Sequence, residues 1–172
     1  MKELIVKAYT FDELSEKAKN KAREWMRSCR EQETFWADQV ADDARNVGIR
    51  LEEWDTEGPG TCSISFDDDA AGTAFAILHE HGASCDTHTL AVAFLEARDA
   101  AANAVPAGYQ DARDEAVDRC DEQFERDIAT AYLQMLKEAY IYTMSDEAID
   151  EGIAASEYLF TEDGSRSVVL NG

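Results

Sequence analysis

The chain has 172 residues, 45% of them hydrophobic, which is enough to bury a core and excludes an intrinsically disordered acidic tail. Sixteen Lys and Arg stand against thirty-seven Asp and Glu, a formal net charge of −21. Repulsion between like charges sets such a surface against direct binding of nucleic acid or an anionic membrane, and the natural partner is basic.

The imbalance grows along the chain. Residues 1–60 carry ten basic and fourteen acidic side chains, residues 61–172 six and twenty-three. At the start, residues 4–9, LIVKAY, are apolar and β-branched enough for a strand. Thr10 and Glu13 then have capping-box spacing at the start of a helix expected over residues 12–30. Leu14, Ala18, Ala22, Trp25 and Met26 form its inner side. Lys17, Lys19, Lys21, Arg23 and Arg27 make much of the rest basic, diluted by Glu13, Glu16 and Glu24. That face is expected to pair within the fold or with acids of a second copy, which makes a homodimer one candidate assembly. A second helix is expected over residues 34–46, with Trp36, Val40 and Ala44 inward and a stop near Gly48.

Residues 49–54 and 61–66 alternate as strands do, with a Gly/Pro turn at 57–60 between them. Asp67 to Gly72 reads as a further turn, and residues 73–78 as a returning strand or the opening of a helix. From Leu90 the pattern is helical up to Pro106, and a long acidic helix follows, reaching Thr143. Ser145 can cap a short helix whose first turn holds Asp146 and Glu147, acids suited to a helix N-terminus. Residues 158–160, a turn at Asp163-Gly164 and residues 167–170 resemble a closing hairpin. With no fixed-period repeat and no low-complexity linker, the expected architecture is a single α+β domain over residues 1–172. It comprises a small antiparallel sheet packed with several helices, including the long acidic one.

That long helix is the most informative stretch. Asp111, Asp114, Glu115, Asp118, Asp121, Glu122 and Glu125 recur at three- and four-residue spacing, so a helix stacks them along one face. Val117, Cys120, Phe124, Ile128, Ala131 and Met135 recur on another face, the pattern of a helix docked on a core. The seven carboxylates span roughly 21 Å at about 1.5 Å per residue. That is roughly one per 3 Å, close to the ~3.4 Å charge spacing of one nucleic-acid strand. A rigid row of this kind can occupy the basic groove of a nucleic-acid-binding protein. The plain reading beside it is a solvated helix face, with Arg113, Arg119 and Arg126 offering partial pairing.

Other constellations are weaker. His79, His81, Cys85 and His88 are zinc-ligand types, and a zinc-dependent enzyme is one alternative they raise. The pairs lie closer together than in a usual finger, and His79 and His81 need extended backbone between them to point one way. A polar loop is the preferred reading, with no metal and no cofactor. Asp67-Asp68-Asp69 lacks the alternating ligands and distant Glu of a calcium loop and reads as a solvated turn. Cys29, Cys62, Cys85 and Cys120 form no CxxC pair and read as reduced thiols, with Cys120 in the core. Trp25, Trp36 and Trp54 are read as core residues. No nucleophile elbow, P-loop or dinucleotide turn is present, so the chain is not expected to be an enzyme and no catalytic residues are named. No apolar run of transmembrane length and no secretory leader pattern is seen, and the expectation is a cytoplasmic protein.

Residues 8–25 (AYTFDELSEKAKNKAREW), 62–75 (CSISFDDDAAGTAF) and 145–164 (SDEAIDEGIAASEYLFTEDG) carry a resemblance over about a third of the chain. They resemble a widespread family of small phage-encoded proteins, some labelled as similar to the antitoxin of a toxin–antitoxin stability system. The resemblance implies a phage or prophage origin and a host-cytoplasm setting, and it implies no catalytic residues. In that setting, an acidic nucleic-acid-like row suggests an inhibitor of a host nucleic-acid-binding defence complex, of the CRISPR or restriction kind. The expected partner is a basic host protein or nucleoprotein complex, with no direct contact to nucleic acid or membrane. An antitoxin-like module neutralising a basic toxin is the first alternative.

Overall fold

A computed structural model describes residues 7–167 and shows an α+β protein, 65% helical, with six α-helices and one two-stranded antiparallel sheet. The described chain divides into two compact units, with boundaries after residue 36 and before residue 140. Each follows from its own local chemistry.

In the first unit, Thr10 and Glu13 form the expected capping box, with Thr10 N donating to Glu13 Oε2 at 2.8 Å. The box closes a short 3-10 turn, Phe11–Glu13, and the helix proper, α1 (Glu16–Arg30), starts later than expected. Its own cap is Ser15, whose hydroxyl accepts from Ala18 N, with Glu16 in the first turn and Arg27 and Arg30 in the last to complement the helix dipole. Leu14, Ala18 and Ala22 are buried against Ile149 and Ile153 of α6 (Asp146–Ala155), with Trp25 and Met26 partly buried beside them. Ser145 caps α6, as its position predicts.

Three of the five basic side chains on this face of α1 pair with acids elsewhere in the unit. Arg23 makes a bidentate pair with Asp150, 2.7 Å on both nitrogens, Arg27 pairs with Asp146, and Lys21 with Asp163. Arg30 reaches the carbonyls of Thr143 and Ala148, lying across Gly152, where a Cβ would stand 2.1 Å from its guanidinium.

Tyr9 and Phe160 exchange both backbone hydrogen bonds, and Phe160 bridges Arg166 around the turn at Gly164. Residues 4–6 of the expected first strand and 168–170 of the expected hairpin lie outside the described residues. Gly164 has φ +84° and abuts Ala18, so that a Cβ would fall 2.1 Å from the Ala18 carbonyl oxygen. Only glycine fits there.

Lys21, then Thr161 and Ser165, hold the Asp163 carboxyl well below the usual carboxylate range. A depressed folded value means that the contribution is present above the unfolded carboxylate range and is lost as pH falls through the folded value. Acidification below about pH 4 should therefore lower the stability of the first unit, and only slightly, because the Lys21–Asp163 pair is exposed and screened. Asp163→Asn should flatten that loss in a pH series of thermal melts followed by circular dichroism.

In the second unit, α2 (Asp38–Asn46) buries Val40 and Ala44. The chain leaves it through Gly48 at φ +74° into β1 (Ile49–Asp55), antiparallel to β2 (Thr61–Phe66), with a bulge between Leu51 and Glu53. Of the two readings of residues 73–78 the helix holds: they belong to α3 (Ala70–Glu80), which starts inside the expected turn because the Asp69 carboxylate accepts from Gly72 N at 2.6 Å and caps it. Asp67 pairs with Arg50 at 3.0 Å. After α3 come α4 (Asp86–Ala104) and α5 (Gln110–Thr143), separated by Pro106 and by Gly108 at φ +99°. The two strands bury Ile49 and Ile64, which gives so small a sheet its support.

Candidate functional site

The orientation of the acidic row is set by what α5 buries. Phe124, Ile128, Tyr132 and Leu136, an uninterrupted i, i+4 row, are its buried residues. Phe124 stacks on Phe94 of α4, with ring centroids 4.2 Å apart and planes at 14°, and lies 5.9 Å from Phe66 of β2. Two turns on, the contact line has rotated toward α2, where the Tyr132 hydroxyl donates to Asp43 Oδ2 at 2.9 Å. Burial, and then the Asp43 carboxylate, push this phenol well above its usual range, so it stays a donor.

An i, i+4 row winds about 40° per step on a helix of 3.6 residues per turn. The inner face expected from strict periodicity therefore holds only at Phe124 and Ile128. Val117, Cys120, Ala131 and Met135 are half-buried, while Tyr132 and Leu136 take the core positions. Cys120 is thus not a core thiol. Cys62 is also half-buried, and burial pushes its thiol up.

At about 100° per residue, the seven carboxylates from Asp111 to Glu125 fall within an arc of about 120°. Asp111, Asp114, Glu115, Asp118, Glu122 and Glu125 are exposed. Asp121 differs: it sits at the edge of the arc nearest α4, is half-buried, and accepts from Arg98 Nε at 2.9 Å.

The remaining pairing is loose. Gln110 donates to Asp114 at 2.6 Å, while Arg119 and Arg126 approach Glu115 and Glu122 only at 3.8 and 3.7 Å, one turn away on a solvated face. Asp111, Asp118 and Glu125 have no ion pair among the described residues. Including Asp127, eight carboxylates on residues 110–127 meet three arginines, too few to neutralise the face. The row can therefore act as an array of acceptors for guanidinium and ammonium groups, with Asp121 in a positioning role.

That role is measurable. Arg98→Ala and Asp121→Asn should each lower the stability of the second unit by about 1 kcal/mol, and the double variant should lose less than the two together. Urea unfolding of the four species reads this directly.

The histidine cluster does not gather. His79 lies in the last turn of α3, exposed and paired with Glu80, and Glu80 is still helical, so the chain turns extended only at the C-cap, His81. Cys85 is the exposed N-cap of α4, and His88 lies inside that helix. Among the described residues, no three His, Cys, Asp or Glu side chains are grouped so as to hold a metal ion. Sequence reasoning singled out His81 but missed its partners, Asp43 and Thr87. His81 Nδ1 meets Thr87 Oγ1 at 2.7 Å, and Nε2 faces Asp43 Oδ1 at 3.5 Å.

Among the described residues, no helix is long and apolar enough to cross a membrane. No protein-family model matches the chain, and no curated protein or solved structure matches it. The fold and the site define an α+β protein whose most distinctive surface is a helix-borne row of carboxylates.

Proposed function

We propose that the protein is a non-enzymatic inhibitor that occupies the nucleic-acid-binding groove of a basic host protein or nucleoprotein complex through the acidic face of α5. A defence complex of the CRISPR or restriction kind, met in the host cytoplasm, is the target class that the phage-family resemblance favours. The observation that carries the reading is the row itself: six exposed carboxylates within roughly 21 Å of rigid helix, under-neutralised by neighbouring arginines. Such a row offers a basic groove what a nucleic-acid strand offers, several anionic contacts and long-range steering.

The test is capture of the partner from host lysate by the immobilised protein, followed by challenge with duplex DNA and rising salt. Release of a nucleic-acid-binding protein by both supports mimicry, because DNA and α5 then compete for one surface. A partner that survives both contradicts it.

One observation favours a second reading, an antitoxin-like module that covers a basic toxin. Phe35, Ile141 and Tyr142 of the first unit are large apolar side chains left 48%, 68% and 59% exposed. Retention of a small basic protein through DNA and high salt, and its loss on Ile141→Asp, would support that reading.

A further inference from the structure

α4 and α5 meet along Phe94 and Phe124, and the two sides of that seam are unlike. On one side Arg98 and Asp121 close it, where the acidic row begins. The other side is open. At about 100° per residue, Ala116, Cys120, Gln123 and Asp127 lie about 40–100° round α5 from Phe124, away from Asp121. Leu90, Ala93, Ala97 and Ala101 hold the matching side of α4, and the two sets line a hollow of about 460 Å³ floored by the stacked rings. A second hollow of about 490 Å³ shares Leu90 and Asp127 with the first and reaches on to Asp86 and Gln134. Together they form one groove along the α4–α5 seam.

The chemistry of this groove selects its occupant. Alanines on both walls let a third helix approach to the axial distance of ordinary helix packing, about 8–10 Å, and Leu90 with the two rings gives it an apolar bed. The charge along the bed is negative. Asp127 is half-buried and meets only the neutral amide of Gln123, at 2.8 Å, and neither Asp127 nor Asp86 has an ion pair among the described residues. Arg119, the one cation in either lining, leans toward Glu115 at 3.8 Å. A second copy of this helix pair would set Asp127 and Asp86 against their like, which repulsion opposes. A helix with one apolar side and Lys or Arg along its edges answers both features, covering the bed and pairing the carboxylates.

We propose that the α4–α5 groove docks a basic amphipathic helix of a partner protein, seated as the third helix of a bundle with its cations on Asp127 and Asp86. The groove and the acidic row face opposite sides of α5, so this inference does not rest on nucleic-acid mimicry, and the failure of either leaves the other standing.

The test uses the intact protein and an amidated peptide of about fifteen residues, with Leu and Ala at helical i, i+3, i+4 spacing and Lys elsewhere. Its control has the same composition with the Leu residues spread round the helix. Calorimetry at physiological salt, where loose attraction to the acidic row is screened, reads binding. Mass spectrometry reads alkylation of Cys120, which lines the groove, against exposed Cys29 in the first unit. The amphipathic peptide should bind saturably and slow Cys120 alkylation about tenfold or more with Cys29 unchanged, and the control should do neither. Ala97→Trp fills the groove from an exposed helix position and should weaken the peptide by about tenfold or more. Asp127→Asn removes the central charge and should weaken it by about fivefold. Asp111→Asn with Asp118→Asn should leave it unchanged. Equal binding of the control, unprotected Cys120, or equal loss in the Asp111/Asp118 variant would overturn the proposal. So would Cys120 protection that rises with protein concentration in the absence of peptide, because a second copy then fills the groove.

Discussion

Replacing Asp111, Asp118, Glu122 and Glu125 together by their amides should reduce affinity for the partner by about three orders of magnitude, at roughly 1 kcal/mol for each charge pair lost. No single replacement should cost more than about tenfold, because ligands acting as an array share the load. The quadruple variant should fold as well as the parent or slightly better, since all four side chains are exposed and their mutual repulsion is relieved. Circular dichroism with thermal melting checks the fold, and surface plasmon resonance at low salt checks the affinity. A folded quadruple variant that binds and inhibits undiminished would remove the row from the interface and leave it a solvated face.

The second large effect is on stability. Phe124→Ala should destabilise the second unit by about 4 kcal/mol, within the usual 3–5 kcal/mol for deleting a buried aromatic ring. Phe124 is among the most buried side chains of α5, stacked on Phe94 and close to Phe66. It is also the contact that sets which way α5 faces along the acidic row, so weakened partner binding should accompany the loss. A drop of 4 kcal/mol is a large share of the roughly 5–15 kcal/mol that holds a domain together. The urea midpoint of the tryptophan signal should fall accordingly. If Phe94→Ala is added, about 0.5–1.5 kcal/mol of coupling should appear, the contribution of an aromatic pair beyond its buried area. A loss under 1 kcal/mol would mean that Phe124 does not anchor the helix.

Features that depend on neighbours in sequence were legible before the structure. The three- and four-residue recurrence of Asp111 to Glu125 placed those carboxylates on one face, and six of the seven are exposed on it. Ser145 caps α6, Thr10 and Glu13 form their box, and β1 and β2 pair where their alternation put them. Features that depend on distant partners were not. Asp121 matches the pattern of the row but turns toward Arg98, which a periodicity count cannot foresee. Tyr132 is buried because Asp43, 89 residues away, satisfies its hydroxyl.

Asp69 was a different case, since a signal was available. Asp followed three residues later by a free backbone N–H, ahead of an apolar run, is a helix start, yet three consecutive acids beside Gly72 suggested a turn. His81 belongs with Tyr132: its residue type invited a metal, but its ring is held at Nδ1 by Thr87 and faces Asp43 at Nε2.

If its partner reads α5 as a row of charges, binding must depend steeply on salt. The most direct measurement is the salt dependence of binding, log K against log salt concentration, for the parent and for the quadruple amide variant. A row that displaces nucleic acid should give a steep negative slope of several units for the parent, reduced by about half when four of the seven carboxylates are neutralised. A slope near zero, or one that is the same in both proteins, would contradict it.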